Sequence, residues 1–359
     1  MTDPLPKLEG LVCPIPLPHN QRIVLGHGSG GRMSYDLISK IFLPPFDNPI
    51  LRLGDDAGIM IIPNDTSGVS SRLAISTDSH VVMPLFFPGG DIGRLAICGT
   101  VNDVAMMGAS PLYLTAGFVL EEGLDVDILR NVVESMHSAA LEANIQIIAG
   151  DTKVVQNGKA DGLYINTTGF GIIPTGVNIS GSRAQPGDIV IVSGSIGDHG
   201  IAVLAARGEL HFDTLITSDV APLNGLVTTM LETTKEIHVL RDPTRGGVAT
   251  SLNEIALQSK VGIRIYEDAI PVKPGVTAAC EMLGFDPLYV ANEGKLIAIV
   301  ERNAADKLLA SMKNHPLGSD AAIIGTITDD PGDHVVLKTT FGTTRMVDML
   351  SGEMLPRIC

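Results

Sequence analysis

Four short segments in the first half of the chain put an aspartate beside glycine, serine, threonine or asparagine at the edge of an apolar run. They are Gly54-Asp55-Asp56-Ala57, Ser76-Thr77-Asp78, Val101-Asn102-Asp103-Val104 and Ala149-Gly150-Asp151-Thr152-Lys153, and a fifth element is the loop Gly26-His27-Gly28-Ser29-Gly30-Gly31. Carboxylates at strand ends can converge on Mg²⁺, a hard cation that takes oxygen ligands and keeps phosphate or water in its other positions. Glycine-rich backbone approaches phosphate closely and offers it N–H groups. Each element alone has a plainer explanation, because aspartate at a strand end is usually a turn former and a glycine-rich loop is usually just a loop. Together they favour a magnesium–nucleotide site. Asp103 is the least ordinary member, since an acid inside the apolar stretch 95–107 is expensive to bury without a cation or hydrogen bonds. The loop is neither G-x-x-x-x-G-K-[ST] nor G-x-G-x-x-G, so neither a P-loop nor a Rossmann site is indicated.

The thiols form a second set. Cys13, Cys98, Cys280 and Cys359 are scattered with no C-x-x-C pair, which argues against zinc and against a disulfide framework. Cys359 is the last residue. A prenylation box needs cysteine fourth from the end, where this chain has Pro356. Ten extended residues from Leu350 reach at most roughly 35 Å, so a terminal thiol could visit a partner and return to a cleft of its own protein. The neighbouring C-terminal carboxylate should raise the thiol pKa, Arg357 should partly offset this, and Pro356 limits the entropy lost on docking. A chain end also tolerates almost any residue, so the tail alone decides nothing.

These groups need a scaffold. The chain has 359 residues, 45% hydrophobic and 18% charged, enough for a sizeable core and by length two domains. A net charge of −15 argues against nucleic acid or an anionic membrane as partner. With 9 Phe, 5 Tyr and no Trp there is little material for stacking platforms. The apolar run 104–120 is broken by Gly108-Ala109-Ser110-Pro111 and is short for a membrane span; with no signal-peptide pattern at the start, a cytoplasmic protein is expected. Prolines at 4, 6, 14, 16 and 18 predict an extended arm over 1–22. Strands are predicted at 57–62, 72–77, 112–120, 145–149 and 162–173, with helices at 92–107 and 126–143, the latter capped by Asp125 or Asp127. After the polar segment 180–187, strands are predicted at 188–193, 295–300, 321–328 and 334–338, and helices at 200–206, 221–235 and 247–260. The fold class is α+β, divided into an arm (1–22), an N-terminal domain (23–180), a C-terminal domain (181–349) and a mobile tail (350–359).

GDDAG at 54–58, STDSHVV at 76–82, DIGRLAICGTVNDVAMMGASP at 91–111 and AGDTKVV at 149–155 resemble the ATP-binding half of a known superfamily. Its members include aminoimidazole ribonucleotide synthetase, selenophosphate synthetase and thiamine-monophosphate kinase. PGDIVIVSGSIGDHG at 186–200, RDPTRGGVATSLNEIA at 241–256 and NEGKL at 292–296 resemble its C-terminal domain. Within it, HGSGGRMS at 27–34 and the terminal Pro356-Arg357-Ile358-Cys359 resemble the HypE family of carbamoyl dehydratases, which serve hydrogenase maturation. The resemblance implies two α/β-layer domains, with N-terminal domains paired in a homodimer whose clefts hold ATP. It implies Asp56, Asp78, Asp103 and Asp151 as Mg²⁺ ligands. Gly28, Gly30, Gly31, Asp55, Thr77, Asn102 and Thr152 would join Asp78 and Asp151 around the nucleotide.

By the same resemblance, a HypF-like carbamoyltransferase would load a carboxamide onto Cys359. ATP would then convert the amide oxygen into a phosphate leaving group, giving a thiocyanate whose cyanide passes to an iron-carrying HypC–HypD complex. Lys153 and Glu293 are the candidates for proton handling, with a phosphate contact and a structural ion pair as equally good alternatives. His27 and His199, in glycine-flanked turns, are within reach of phosphate or tail but are read as incidental. Two other readings remain: a small-molecule ATP-dependent synthetase or kinase of the superfamily, for which Cys13 is the only suitably placed thiol, and a non-catalytic ATP-binding scaffold.

Overall fold

The computed structural model describes residues 22–62, 71–208, 216–330, 333–352, 355 and 357–359. The proline-rich arm with Cys13 therefore lies outside the described residues, apart from Arg22. Beyond the glycine-rich loop come two short helices, α1 (Arg32–Leu37) and α2 (Leu43–Phe46), joined by one wide turn at Ile38–Phe42. Neither was anticipated, because each is too short to show helical periodicity.

The first sheet is built from β1 (Gly58–Ile62), β2 (Ser71–His80), β5 (Ser110–Glu121), β6 (Gln146–Val155) and β7 (Leu163–Ile173), in the order β1-β2-β7-β5-β6. A two-strand ribbon, β3 (Phe86–Phe87) and β4 (Gly90–Asp91), leads into α3 (Ile92–Met106). Asp91 caps α3 by accepting from the N–H groups of Gly93 and Arg94. The helix is apolar nearly all round because both sides are covered: one by the sheet, the other by α4 (Val126–Glu142) and the second domain. Asp125 is the cap of α4, accepting from the N–H of Asp127.

Strand β2 alternates. Ala74, Ser76 and His80 are buried toward α3, whereas Thr77 and its partners Asn166 and Thr168 on β7 face away. Period-two alternation thus places Asp78 on the helix side and Thr77 on the open side of the same sheet.

The second sheet uses β8 (Ile189–Val192), β9 (Ile237–Arg241), β10 (Gly262–Tyr266), β11 (Ile297–Val300), β12 (Ala322–Thr328), β13 (Val335–Lys338) and β14 (Thr344–Val347), in the order β14-β13-β10-β12-β8-β11-β9. Its helices are α5 (Asp198–Ala206), α6 (Asn224–Thr233), α7 (Gly247–Ser259), α8 (Pro274–Leu283) and α9 (Arg302–Lys313). Strands β9, β10 and β14 and helices α8 and α9 add to the elements expected from the sequence. One apolar cluster joins the halves, with Val104 to Met106 of α3 and the following Met107 packed among Leu223, Leu226, Met230 and Leu240. No helix among the described residues is long and apolar enough to cross a membrane.

The tail departs from the expectation of a loose end. Ile358 is 4% exposed, forms an antiparallel bridge with Val82, and shares a core cluster with Val203, Phe87 and Ala291. Leu350, where the tail begins, accepts a hydrogen bond from the N–H of Arg32 at 2.9 Å. Two apolar side chains, Leu355 and Ile358, suffice because the interdomain cleft already supplies an apolar wall.

Candidate active site

The tail brings Cys359 to the seam between the two domains. A cavity of about 210 Å³ is lined by the tail, by Gly28 and Ser29 of the glycine-rich loop, by Ser79 and Val81, and by Arg245. A second cavity of about 680 Å³ adjoins it, with Gly28 and Arg245 in both walls; it is lined further by Gly30, Ser34, Asp55, Arg241 and Glu254. The larger cavity has the volume of a typical small-molecule site.

Glycine is required where the loop meets the second domain. Gly30 has φ +76°, and a Cβ there would lie 2.7 Å from the Cβ of Arg245; one at Gly31 would overlap the Leu350 carbonyl oxygen. The loop is closed by Ser34, whose hydroxyl accepts from the Gly30 N–H and donates to the His27 carbonyl. His27 is spent on its own turn, its Nδ1 lying 3.1 Å from the Val24 nitrogen.

Around the thiol stand Glu293, Arg245 and Asp78. Burial pushes the Cys359 thiol well above its ordinary pKa; Arg245 opposes that push, and the carboxylates of Glu293 and Asp78 add to it. Arg245, and not Arg357 as the sequence suggested, is therefore the compensating cation. Arg357 turns away and pairs with Asp161 at 2.7 Å.

Glu293 is 4% exposed, its Oε1 has no hydrogen-bond partner, and burial, followed by Asp242, Asp78 and Asp219, drives its carboxyl well above the usual range. Asp219 fixes its main chain by accepting from the Glu293 N–H at 3.0 Å, and Lys295 lies 3.3 Å from the same carboxylate. A buried carboxyl whose ionised form is disfavoured is a strong proton acceptor once ionised, and it sits within hydrogen-bonding reach of the thiol.

Next to this lies a carboxylate group. Asp103 accepts from the Ser76 hydroxyl at 2.7 Å, and its pKa is driven well above normal by burial and then by Asp242, Asp78 and Asp56. Asp242 is pushed up to about 6, chiefly by burial. Asp56 is bound to Arg241 at 2.6 Å, both side chains being about nine-tenths buried. Asp55 accepts from the Gly181 N–H at 2.7 Å and the Ser180 hydroxyl at 3.1 Å, tying the start of β1 to the linker.

The donor set Asp56, Asp78, Asp103 and Asp242 fits Mg²⁺ by its chemistry: hard oxygens that mutually repel, with Arg241 balancing only one side. Among the described residues, however, no three of these side chains are already gathered closely enough to hold an ion. Sequence reasoning passed over Asp242, although it carries the same signal as the others, an aspartate closing an apolar strand.

The structure separates other predicted residues from this group. Asp151 and Lys153 face away from α3 on the outer strand β6, paired with each other at 2.6 Å and both more than two-thirds exposed. Thr152, between them, is also exposed. Thr77 on the same open face donates to the Thr167 carbonyl and accepts from Thr168. Asn102 corrects an expectation. Its Nδ2 donates to the Ala221 and Glu293 carbonyls and its Oδ1 accepts from the Leu223 N–H, so its amide is consumed in joining the domains and is not free for a nucleotide.

Two family models match in tandem: the N-terminal domain of AIR synthase related proteins over residues 54–173 and the C-terminal domain over 185–338. The chain is 54% identical over 338 residues to the carbamoyl dehydratase HypE of Cupriavidus necator, covering 94% of this chain and 95% of that protein. The chain belongs to the HypE family. A solved structure of the hydrogenase maturation protein HypE in complex with ATP has 51% identity, a TM-score of 0.78, and coverage of 94% of this chain and 100% of that one. In a solved HypE–HypF complex the matching chain has 52% identity and a TM-score of 0.82 over 88% of this chain and 99% of that one. As a HypE family member the protein is an AIR-synthase-type two-domain enzyme, and its docked tail brings Cys359 to an acidic interdomain cleft.

Proposed function

We propose that this chain dehydrates a carboxamide carried on Cys359 to a thiocyanate at the expense of ATP. It thereby supplies a cyanide ligand for hydrogenase iron, after loading by a HypF-like carbamoyltransferase and before transfer to a HypC–HypD type of acceptor. The observation that carries the reading is the placement of a half-buried Cys359 beside Glu293, Arg245 and Asp78, one wall away from a cavity of about 680 Å³. A small-molecule kinase or synthetase has no use for its own terminal thiol there, and a scaffold has no use for a buried unpartnered Glu293.

ATP would occupy the larger cavity, where Gly28 and Gly30 leave room for phosphate against the wall and Arg245 offers its charge. Asp78, Asp103 and Asp242, with Asp56, are the residues that would hold Mg²⁺, which supplies charge stabilisation to the phosphoryl group. The amide oxygen of the S-carboxamide attacks the γ-phosphorus and ADP leaves, while the amide nitrogen loses one proton. The resulting O-phosphoimidate loses its second N–H proton as the C–O bond breaks, giving –S–C≡N and inorganic phosphate. Glu293 in its ionised form accepts the first of these protons, the departing phosphate carries away the second, and Arg245 holds negative charge near the carbon–oxygen bond.

Lys153 and Asp151 enter through a second copy of the chain, whereas Thr152 alternates to the other side of β6. The open face of the first sheet carries Met60, Ile62, Tyr113 and Ile172 exposed, and pairing two such faces covers them. The division near residue 180 and a cytoplasmic location belong to the same reading.

Asp78→Asn tests it. Loading of the tail by the carbamoyltransferase should persist while ATP-dependent loss of water stops. Loss of both steps would mean a docking or folding defect, and retention of both would remove Asp78 from the chemistry.

A further inference from the structure

The dehydration reading uses the end of the tail but leaves open what fixes the thiol's position. His199, set aside in the sequence as an incidental loop histidine, is fully buried in the first turn of α5. Its Nε2 lies 2.7 Å from the carbonyl oxygen of Ile358, the residue before Cys359, and its Nδ1 lies 2.8 Å from the Ser218 hydroxyl. A carbonyl only accepts, so Nε2 carries the proton and Nδ1 accepts from Ser218. The Ser218 oxygen in turn accepts from the Val220 N–H at 3.1 Å. Every donor in this chain of bonds has an acceptor, and the Phe87 ring stands perpendicular to the imidazole with ring centroids 5.4 Å apart.

The frame that carries His199 also carries Glu293. The Gly197 N–H donates to Asn292 Oδ1 at 2.7 Å and the Gly200 N–H to the Ala291 carbonyl at 3.1 Å, so the first turn of α5 is fastened to the two residues before Glu293. From the other side, Ser218 holds the imidazole while its neighbour Asp219 holds the Glu293 main chain.

We propose that His199, oriented by Ser218, is a positioning residue: by gripping the Ile358 carbonyl it sets the register of the tail, so that the Cys359 sulfur and any group on it meet Glu293. The inference rests on the dehydration reading for its purpose and on the geometry for its existence. A main-chain contact suits a tail whose thiol alternates between free, carbamoylated and cyanated forms, because the grip ignores what the sulfur carries. Burial also holds the imidazole below its ordinary pKa, which favours the neutral ring that this arrangement needs.

The test uses the full-length protein with His199→Ala, His199→Gln and Ser218→Ala. Iodoacetamide alkylation of Cys359 in the resting protein, read by peptide mass spectrometry, should accelerate about tenfold in His199→Ala, since one buried hydrogen bond is lost. Glutamine, which retains an N–H donor, should restore part of the protection, and Ser218→Ala should give an intermediate rate. Carbamoyl loading by the partner should be no slower than in wild type, because it needs the tail outside the cleft, whereas single-turnover dehydration of the loaded protein should slow by about the same factor.

Unchanged alkylation and dehydration in His199→Ala would overturn the proposal. So would an equal fall in loading and dehydration with no rescue by glutamine, the pattern of a purely structural residue. If wild-type protein never loses water yet alkylation responds as stated, the dehydration reading fails while the tail anchor stands.

Discussion

Replacing Asp242 by asparagine should make the nucleotide-free protein more stable and its response to Mg-ATP weaker. Asp242 is buried beside Asp78, Asp103 and Glu254, and its carboxyl is raised from 3.8 to about 6. For a group raised on folding, the stabilising contribution is complete below the unfolded pKa and is lost as pH rises through the folded one. Between pH 4 and 6 the unfolded chain releases this proton while the folded chain retains it, so folding becomes less favourable across that window and levels off above it. A shift of roughly two pKa units corresponds to about 3 kcal/mol at pH 7. Asparagine matches the protonated acid in shape and removes the penalty. Urea unfolding at pH 4, 5, 6 and 7 should show a variant advantage that is small at pH 4 and grows toward about 3 kcal/mol, less what is lost with the Arg241 attraction. A variant less stable than wild type at pH 7, or an advantage independent of pH, would refute the claim that this acidic cluster is strained without a cation.

Saturating Mg-ATP should raise the melting temperature of wild type by several degrees and that of Asp242→Asn by clearly less, measured by differential scanning fluorimetry. Gly31→Ala should loosen the tail, because the new Cβ meets the Leu350 carbonyl backbone, which has no flexible side chain to yield. Expected are a loss of about 1–3 kcal/mol in stability and faster alkylation of Cys359. Burial pushes the Cys98 thiol up to about 12 and the Cys280 thiol up to about 11, so neither should be alkylated in the native protein at pH 8 on the timescale that labels Cys359 in His199→Ala.

Much of the scaffold was legible because its signals are local. The run 126–142 carries Val132, Met136, Ala139 and Ala140 on its buried face behind an Asp125 cap, and β2 alternates cleanly. Strand β9 hid because all five of its residues are buried, including His238 and Arg241, whose polar side chains are met by Asp188 and Asp56 from distant segments. Helix α9 spaces Ala305, Leu308 and Met312 helically, so its signal was present in the sequence. At the site, residue types with hard-oxygen or thiol chemistry stood out, and so did Glu293 by resemblance. Asn102 misled because an amide in an NDV motif looks free until Ala221, Leu223 and Glu293 arrive from the other domain. His199 was set aside as incidental for the complementary reason: its partner Ile358 lies 159 residues away, and no spacing in the sequence announces such a contact.

The central claim is that the Cys359 tail is both carrier and substrate in its own chain's cleft. The mass of the C-terminal peptide measures it most directly, after loading from carbamoyl phosphate by the partner and again after adding ATP and Mg²⁺. The account predicts a gain of one carboxamide on Cys359 followed by loss of one water that depends on ATP, with neither change in Cys359→Ala. The same modification sequence in Cys359→Ala, or loss of water without ATP, would contradict it.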